Sequence, residues 1–174
     1  MASLYLPPGP SRNWVFQPRI AAERSDPDVF DSQGNKLYQL DVTERILEVA
    51  LGREFGVRAS LFAGVRTGQG DVGILIGDPT FDEFEFDRGE YFARFAYDTL
   101  DNFYFPGHGL YGIAEYVVSD SSLGASQEFE QLQTFFLGAQ TFGRHSLMAS
   151  ATVEISSDDA IPVQSLYRSG GYPR

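Results

Sequence analysis

GEYFARFAYDTL, residues 89–100, alternates with period two: Tyr91, Ala93, Phe95, Tyr97 and Thr99 fall on one side, Glu90, Phe92, Arg94, Ala96 and Asp98 on the other. Successive side chains of a β-strand point to opposite faces, so the stretch builds one apolar and one mostly polar face. A helix would scatter both sets around its axis. SLMASATVEI, residues 146–155, repeats the pattern, with Leu147, Ala149, Ala151, Val153 and Ile155 against Ser146, Met148, Ser150, Thr152 and Glu154.

Weaker versions run through 14–24, 37–53, 57–67, 109–118 and 128–142, giving seven strands. Within 37–53 the apolar phase changes: Tyr38, Leu40 and Val42 lead on even positions, then Leu47, Val49 and Leu51 on odd ones, which predicts a bulge near residues 43–45. TERILEVAL in the same segment also reads as helix when taken alone. Short turns at 54–56 and 142–145 alternate with longer polar loops at 25–36, 68–88, 119–127 and 156–163, the arrangement expected of a membrane barrel with tight turns on one side. The long loops hold most of the acidic residues outside strands, so one rim is expected to be strongly negative. DNFYFPGHG, residues 101–109, sets Phe103, Tyr104 and Phe105 at a strand end, where aromatics suit the interfacial girdle of a barrel.

Composition supports sheet: 18 glycines and 24 Phe and Tyr residues accompany only 2 Met in 174 residues. A formal charge of -11 with no cluster of Lys or Arg argues against nucleic acid as a partner. Without cysteine there is neither a disulfide framework nor a thiolate metal site. No stretch reaches the roughly 20 apolar residues of a membrane helix, and mean hydropathy is -0.21. A membrane strand, however, needs only about 9–11 residues with every second one apolar, so low mean hydropathy does not exclude a barrel. MASLYLPPGPSRN lacks the basic and apolar regions of a secretory signal peptide. Residues 1–12 read as an unstructured leader and 13–174 as one partial barrel domain.

Motifs that carry chemistry are sparse. Gly68, Gly70 and Gly73 match G-x-G-x-x-G, but the acidic, Pro79-containing stretch that follows has no helical period to present N–H groups to phosphate, and the glycines read as loop residues. Asp26, Asp28 and Asp31 miss the spacing of a calcium loop. His108 and His145 lie in separate turns, and GASQE at 124–128 lacks the last glycine of a serine nucleophile elbow. Paired carboxylates such as Asp158 and Asp159 or Glu128 and Glu130 read as loop and rim charges. Neither a cofactor nor enzymatic activity is expected of this chain. Glu90, Arg94 and Asp98 share one face of one strand and are the candidates for polar residues lining a barrel lumen.

Several strings, GREFGVRASLFAGVRTGQGD, IGDPTFDEFEFDRGEYFARFAYDTLDNFYFPGHG, SLGASQEFEQL and FGRHSL, together resemble the C-terminal barrel of bacterial patatin-like phospholipases, a barrel of the bacterial surface antigen superfamily. FARFAYDTLDNFYFPGHG carries most of the likeness, and SLYRSGGY resembles the Gly-Gly segment before the family's lumen-inserted loop. The resemblance implies an all-β, antiparallel up-and-down transmembrane barrel, of which this chain supplies a middle portion of about seven to eight strands with open edges at both ends. It also implies a bacterial outer-membrane location, lipid as surroundings, and a role as anchor and translocation pore for an attached or exported lipolytic domain. The hydrolase motifs are absent from this chain, and a homodimer of the full-length parent stays open. A small soluble β-barrel binding an apolar ligand is the competing reading; its outward residues would be mainly charged.

Overall fold

The computed structural model describes residues 2–3, 14–30, 33, 35–76 and 83–157. They form one antiparallel sheet of β1 (Ala2–Ser3), β2 (Trp14–Ser25), β3 (Asp28–Phe30), β4 (Lys36–Phe55), β5 (Ala59–Ile76), β6 (Phe84–Asp98), β7 (His108–Ser119), β8 (Phe129–Phe142) and β9 (His145–Ser156). Apart from β3, which pairs with β4, each strand lies beside the next in the order β1-β2-β4-β5-β6-β7-β8-β9, an up-and-down meander. β2 and β3 flank the same edge of β4 as one strand interrupted at Asp26–Pro27. Pro27 has no N–H for the ladder, while its carbonyl still accepts from the Leu40 N–H at 3.0 Å.

All seven sequence-predicted strands are present, several of them longer than expected. Residues 68–88 do not form a loop: β5 continues to Ile76 and β6 begins at Phe84, with Gly68 opposite Ile46 and Arg88. Two of the glycines that read as breakers, Gly68 and Gly70, sit where the sheet leaves no room for a side chain. A Cβ on Gly68 would lie 2.4 Å from the Arg45 carbonyl oxygen, and one on Gly70 2.5 Å from the Phe86 ring. Glycines inside a strand allow such close approach and let a sheet bend. Nor is there a bulge at 43–45, where the β4 register against β2 and β5 is continuous; β4 shifts register at Gln39/Leu40 instead. TERILEVAL is strand throughout. Of the expected leader, Ala2–Ser3 pair with Ile20 and Arg19, and the remainder lies outside the described residues, as do Asp31, Asp158, Asp159 and SLYRSGGY.

The connections fall into two sets. At the turn end are 56–58, 99–107 and 143–144; at the loop end are 31–35, 77–83 and 120–128. Gly143 has φ 62° and opens a two-residue hairpin between Phe142 and His145, as a II′-type loop requires. In the segment 120–128 a short 3₁₀ turn, Ser121–Leu123, is capped by the Asp120 carboxylate, which accepts from the Ser122 N–H at 2.7 Å. This segment folds back along β6 beyond the last β6–β7 pair: Asp120 N–H donates to Gly89 O at 2.9 Å and Ser126 N–H to Asp87 O at 3.0 Å. It covers part of a strand edge that β7 is too short to reach.

Candidate functional site on the ion-paired face

The two faces of the sheet differ in chemistry and in curvature. Across the middle of one face run Glu48, Arg66 and Glu90, adjacent in register on β4, β5 and β6. Arg66 donates to Glu48 at 3.1 Å, to Glu90 at 3.0 Å and to Glu115 on β7 at 3.0 Å. Arg94 donates to Glu115, while Arg88 donates to Glu90 and, at 3.1 Å, to Glu44. Glu48 and Glu90 are only 1% and 2% exposed, so each carboxylate depends on its guanidinium partners. The Phe92 ring sits between two of those cations, 4.9 Å from the Arg66 guanidinium and 5.2 Å from that of Arg94, in cation–π range.

Such contacts reveal the curvature. Arg66 reaches from β5 to β7 and Arg88 from β6 to β4, each across an intervening strand, a gap of about 9.6 Å at the usual strand spacing. Side chains converge like this on the concave side of a sheet. Apolar clusters occupy the same face beside the ions. Leu40, Val42, Val72 and Phe86 pack together towards the loop end, and Ala50, Phe92, Val117 and Phe129 join across four strands.

On the opposite face the large apolar side chains are exposed. Trp14, Phe16 and Ile20 on β2, Leu47, Leu51 and Phe55 on β4, Leu61 and Val65 on β5, and Tyr91, Phe95 and Tyr97 on β6 all stand out from the sheet. The band continues through Leu110 and Tyr116, Phe136 and Phe142, and Leu147, Val153 and Ile155 on β7 to β9. Its turn-end margin is aromatic, and there the Arg53 guanidinium lies 5.9 Å from the Trp14 ring and 5.4 Å from that of Phe55. Beyond the band, towards the loop end, the same face carries Arg24, Asp41, Thr43, Arg45, Asp71, Glu85 and Asp87.

This arrangement locates the sequence candidates. Glu90 and Arg94 enter the ion network, whereas Asp98 shares their face but accepts the Leu100 N–H at 2.9 Å at the strand end. Phe103 packs edge-on against Tyr104 and Tyr111, at 5.5 and 6.4 Å between ring centres, and Tyr111 belongs to the ion-paired face; Tyr104 and Phe105 are exposed. Sequence reading missed Glu44, Glu48, Arg66, Arg88 and Glu115 as members of the network. The available signal is weak: Glu44, Glu48, Arg66 and Glu115 each interrupt an apolar or small-residue run of the same parity, and Arg88 stands between Phe86 and Glu90. The His108 and His145 turns are not brought together as a site; His108 Nδ1 lies 3.2 Å from Asp101. No grouping of His, Asp and Glu suited to a metal occurs among the described residues.

Neither a family model nor a curated protein matches the sequence. Among solved structures, the chain is similar to the crystal structure of BamA from Haemophilus ducreyi lacking POTRA domains 1–3, with a TM-score of 0.73 at 14% identity. The match covers 97% of this chain and 35% of that one, so the chain spans about a third of the BamA length it matches. The fold is therefore an antiparallel up-and-down stretch of β-barrel wall like that in the BamA structure.

Proposed function

We propose that the sheet forms part of the wall of a bacterial outer-membrane pore, with its exposed face against lipid and its ion-paired face towards a wet lumen. One observation carries this reading: apolar side chains stand exposed on one face of every long strand, while the charged side chains of mid-sheet are gathered and paired on the other. A soluble ligand-binding barrel would reverse this pattern. From Leu47 to Phe55 the strand climbs about 26 Å at about 3.3 Å per residue, or about 20 Å along the membrane normal at the usual barrel tilt. Outer-membrane barrels carry an apolar band of about 25 Å. Glu90 and Arg94 would then line the lumen, and Trp14, Phe55 and Tyr97 the interfacial girdle.

The likeness to a BamA barrel and the resemblance to patatin-like phospholipase barrels support a role in anchoring, and in carrying an attached lipolytic domain across the membrane. Chemistry would reside in that domain. The test is to express the chain behind an export signal and measure its partitioning. Integral protein that resists urea extraction and protease in outer membranes is the expected result; a soluble monomer with β-type circular dichroism would overturn the reading.

A further inference from the structure

At the loop-end margin of the apolar band, the exposed face holds a groove of about 680 Å³, in the range of small-ligand sites. Its apolar part is formed by Ile20 and Leu47, and Leu123 of the folded-back segment lines it from the side. That segment lies directly on Gly89, where a Cβ would come within 2.5 Å of the Leu123 carbonyl oxygen. Arg45 and Asp87 also line the groove, in one register row with Gln69 between them, about 9.6 Å apart by strand spacing. Neither side chain has a hydrogen bond or ion pair among the described residues, in contrast to Arg66, Arg88 and Arg94 on the other face.

We propose that this groove seats the headgroup of a zwitterionic phospholipid with a primary amine, its phosphate on Arg45, its ammonium on Asp87 and one acyl chain along Ile20 and Leu47. The inference rests on the reading that the exposed face meets lipid. Charge selects the occupant. A lone anionic headgroup would satisfy Arg45 but face Asp71, Glu85 and Asp87, all exposed on the same margin. An ammonium that keeps its N–H donors can hydrogen-bond the Asp87 carboxylate, which a quaternary amine cannot.

The test uses the full chain reconstituted in bilayers containing equal parts phosphatidylethanolamine, phosphatidylcholine and phosphatidylglycerol, followed by native mass spectrometry of the lipids retained on release into detergent. Phosphatidylethanolamine should be retained in preference to both others. Arg45→Gln and Asp87→Asn should each lower that retention about tenfold, as expected for loss of one charge-assisted contact, while Arg144→Gln in the distant 143–144 turn leaves it unchanged. Equal retention of the three lipids, preference for phosphatidylglycerol, or indifference to both groove substitutions would overturn the inference and leave the membrane reading standing. A chain that stays outside the bilayer, judged by protease access, would overturn the membrane reading and this inference together.

Discussion

The two halves of β4 obey the same backbone geometry and opposite chemistry. In the turn-end half, Leu47, Val49, Leu51 and Phe55 fill the exposed face, and the facing side is polar or small, with Glu48, Ala50 and Gly52. In the loop-end half, Asp41, Thr43 and Arg45 take the exposed face, and Leu40 and Val42 pack inward against Val72 and Phe86. Nothing in the ladder marks the change, since pairing with β2 and β5 runs through it unbroken. On the proposed membrane reading the surroundings differ and the strand does not. At 20 residues β4 is longer than the about 9–11 residues that a membrane crossing needs, so on that reading its outer half would stand clear of the lipid band and build an ordinary inward-facing core.

The contrast can be broken where the halves meet. Arg66→Ala would leave Glu48, Glu90 and Glu115 without their shared cation, at an expected cost of about 3–5 kcal/mol for a broken buried pair, read as a lower urea midpoint for unfolding from lipid vesicles; an unchanged midpoint would mean that the network is solvated and not structural. The contrast can be sharpened by placing the same charge at two depths on one face. Leu51→Arg should cost about 2–4 kcal/mol in the same assay, as expected for arginine near the bilayer midplane. Thr43→Arg, four pairs of positions further out, should stay within about 0.5 kcal/mol as an ordinary surface change. Equal penalties would place both halves in the same medium.

Those halves also explain what sequence could and could not tell. Strands 89–100 and 146–155 were legible because each keeps one phase over its length. β4 was partly misread because a switch in what surrounds a strand imitates a switch in its phase, and a bulge is the familiar cause of the latter. β5 reads as cut short because Gly68, Gly70 and Gly73 carry the local signature of a loop, whereas the reason for the first two lies in the neighbouring Arg45 carbonyl and Phe86 ring. Apart from Arg88 and Glu90, neighbours on one face of β6, the ion network depends on partners 18 to 49 residues apart meeting across a curved sheet, which no local pattern encodes.

Smaller effects probe the connections at the two ends. Gly109 has φ 114°, and a Cβ there would lie 2.2 Å from the Thr99 carbonyl oxygen. Gly109→Ala should destabilise by about 1–3 kcal/mol, the usual scale for a strained backbone position, seen as a lower unfolding midpoint with the 143–144 hairpin retained. Hydrogen bonds from the His108 and Gly107 N–H groups, at 3.1 and 2.8 Å, hold the Asp101 carboxyl below its ordinary range. At the loop end the Ser122 side chain and N–H do the same for Asp120. A depressed carboxylate stabilises its connection above the unfolded value and ceases to do so as pH falls through the folded one. Amide protection factors at Gly107, His108 and Ser122, taken relative to intrinsic exchange, should therefore fall on acidification below the usual aspartate range, and Asp101→Asn should abolish that fall at the turn end alone.

A consequence of parity follows from the meander. Counting β2 with β4 to β9, the described residues contain seven long strands, so the first and the last run in the same direction, from the turn end to the loop end. A ring in which every neighbour is antiparallel must have an even membership. Two copies in the same orientation, set edge to edge through β2 and β9, would meet in a parallel seam, which this ladder has nowhere else. Ala2–Ser3, antiparallel to β2, already run in the direction that an eighth member would need.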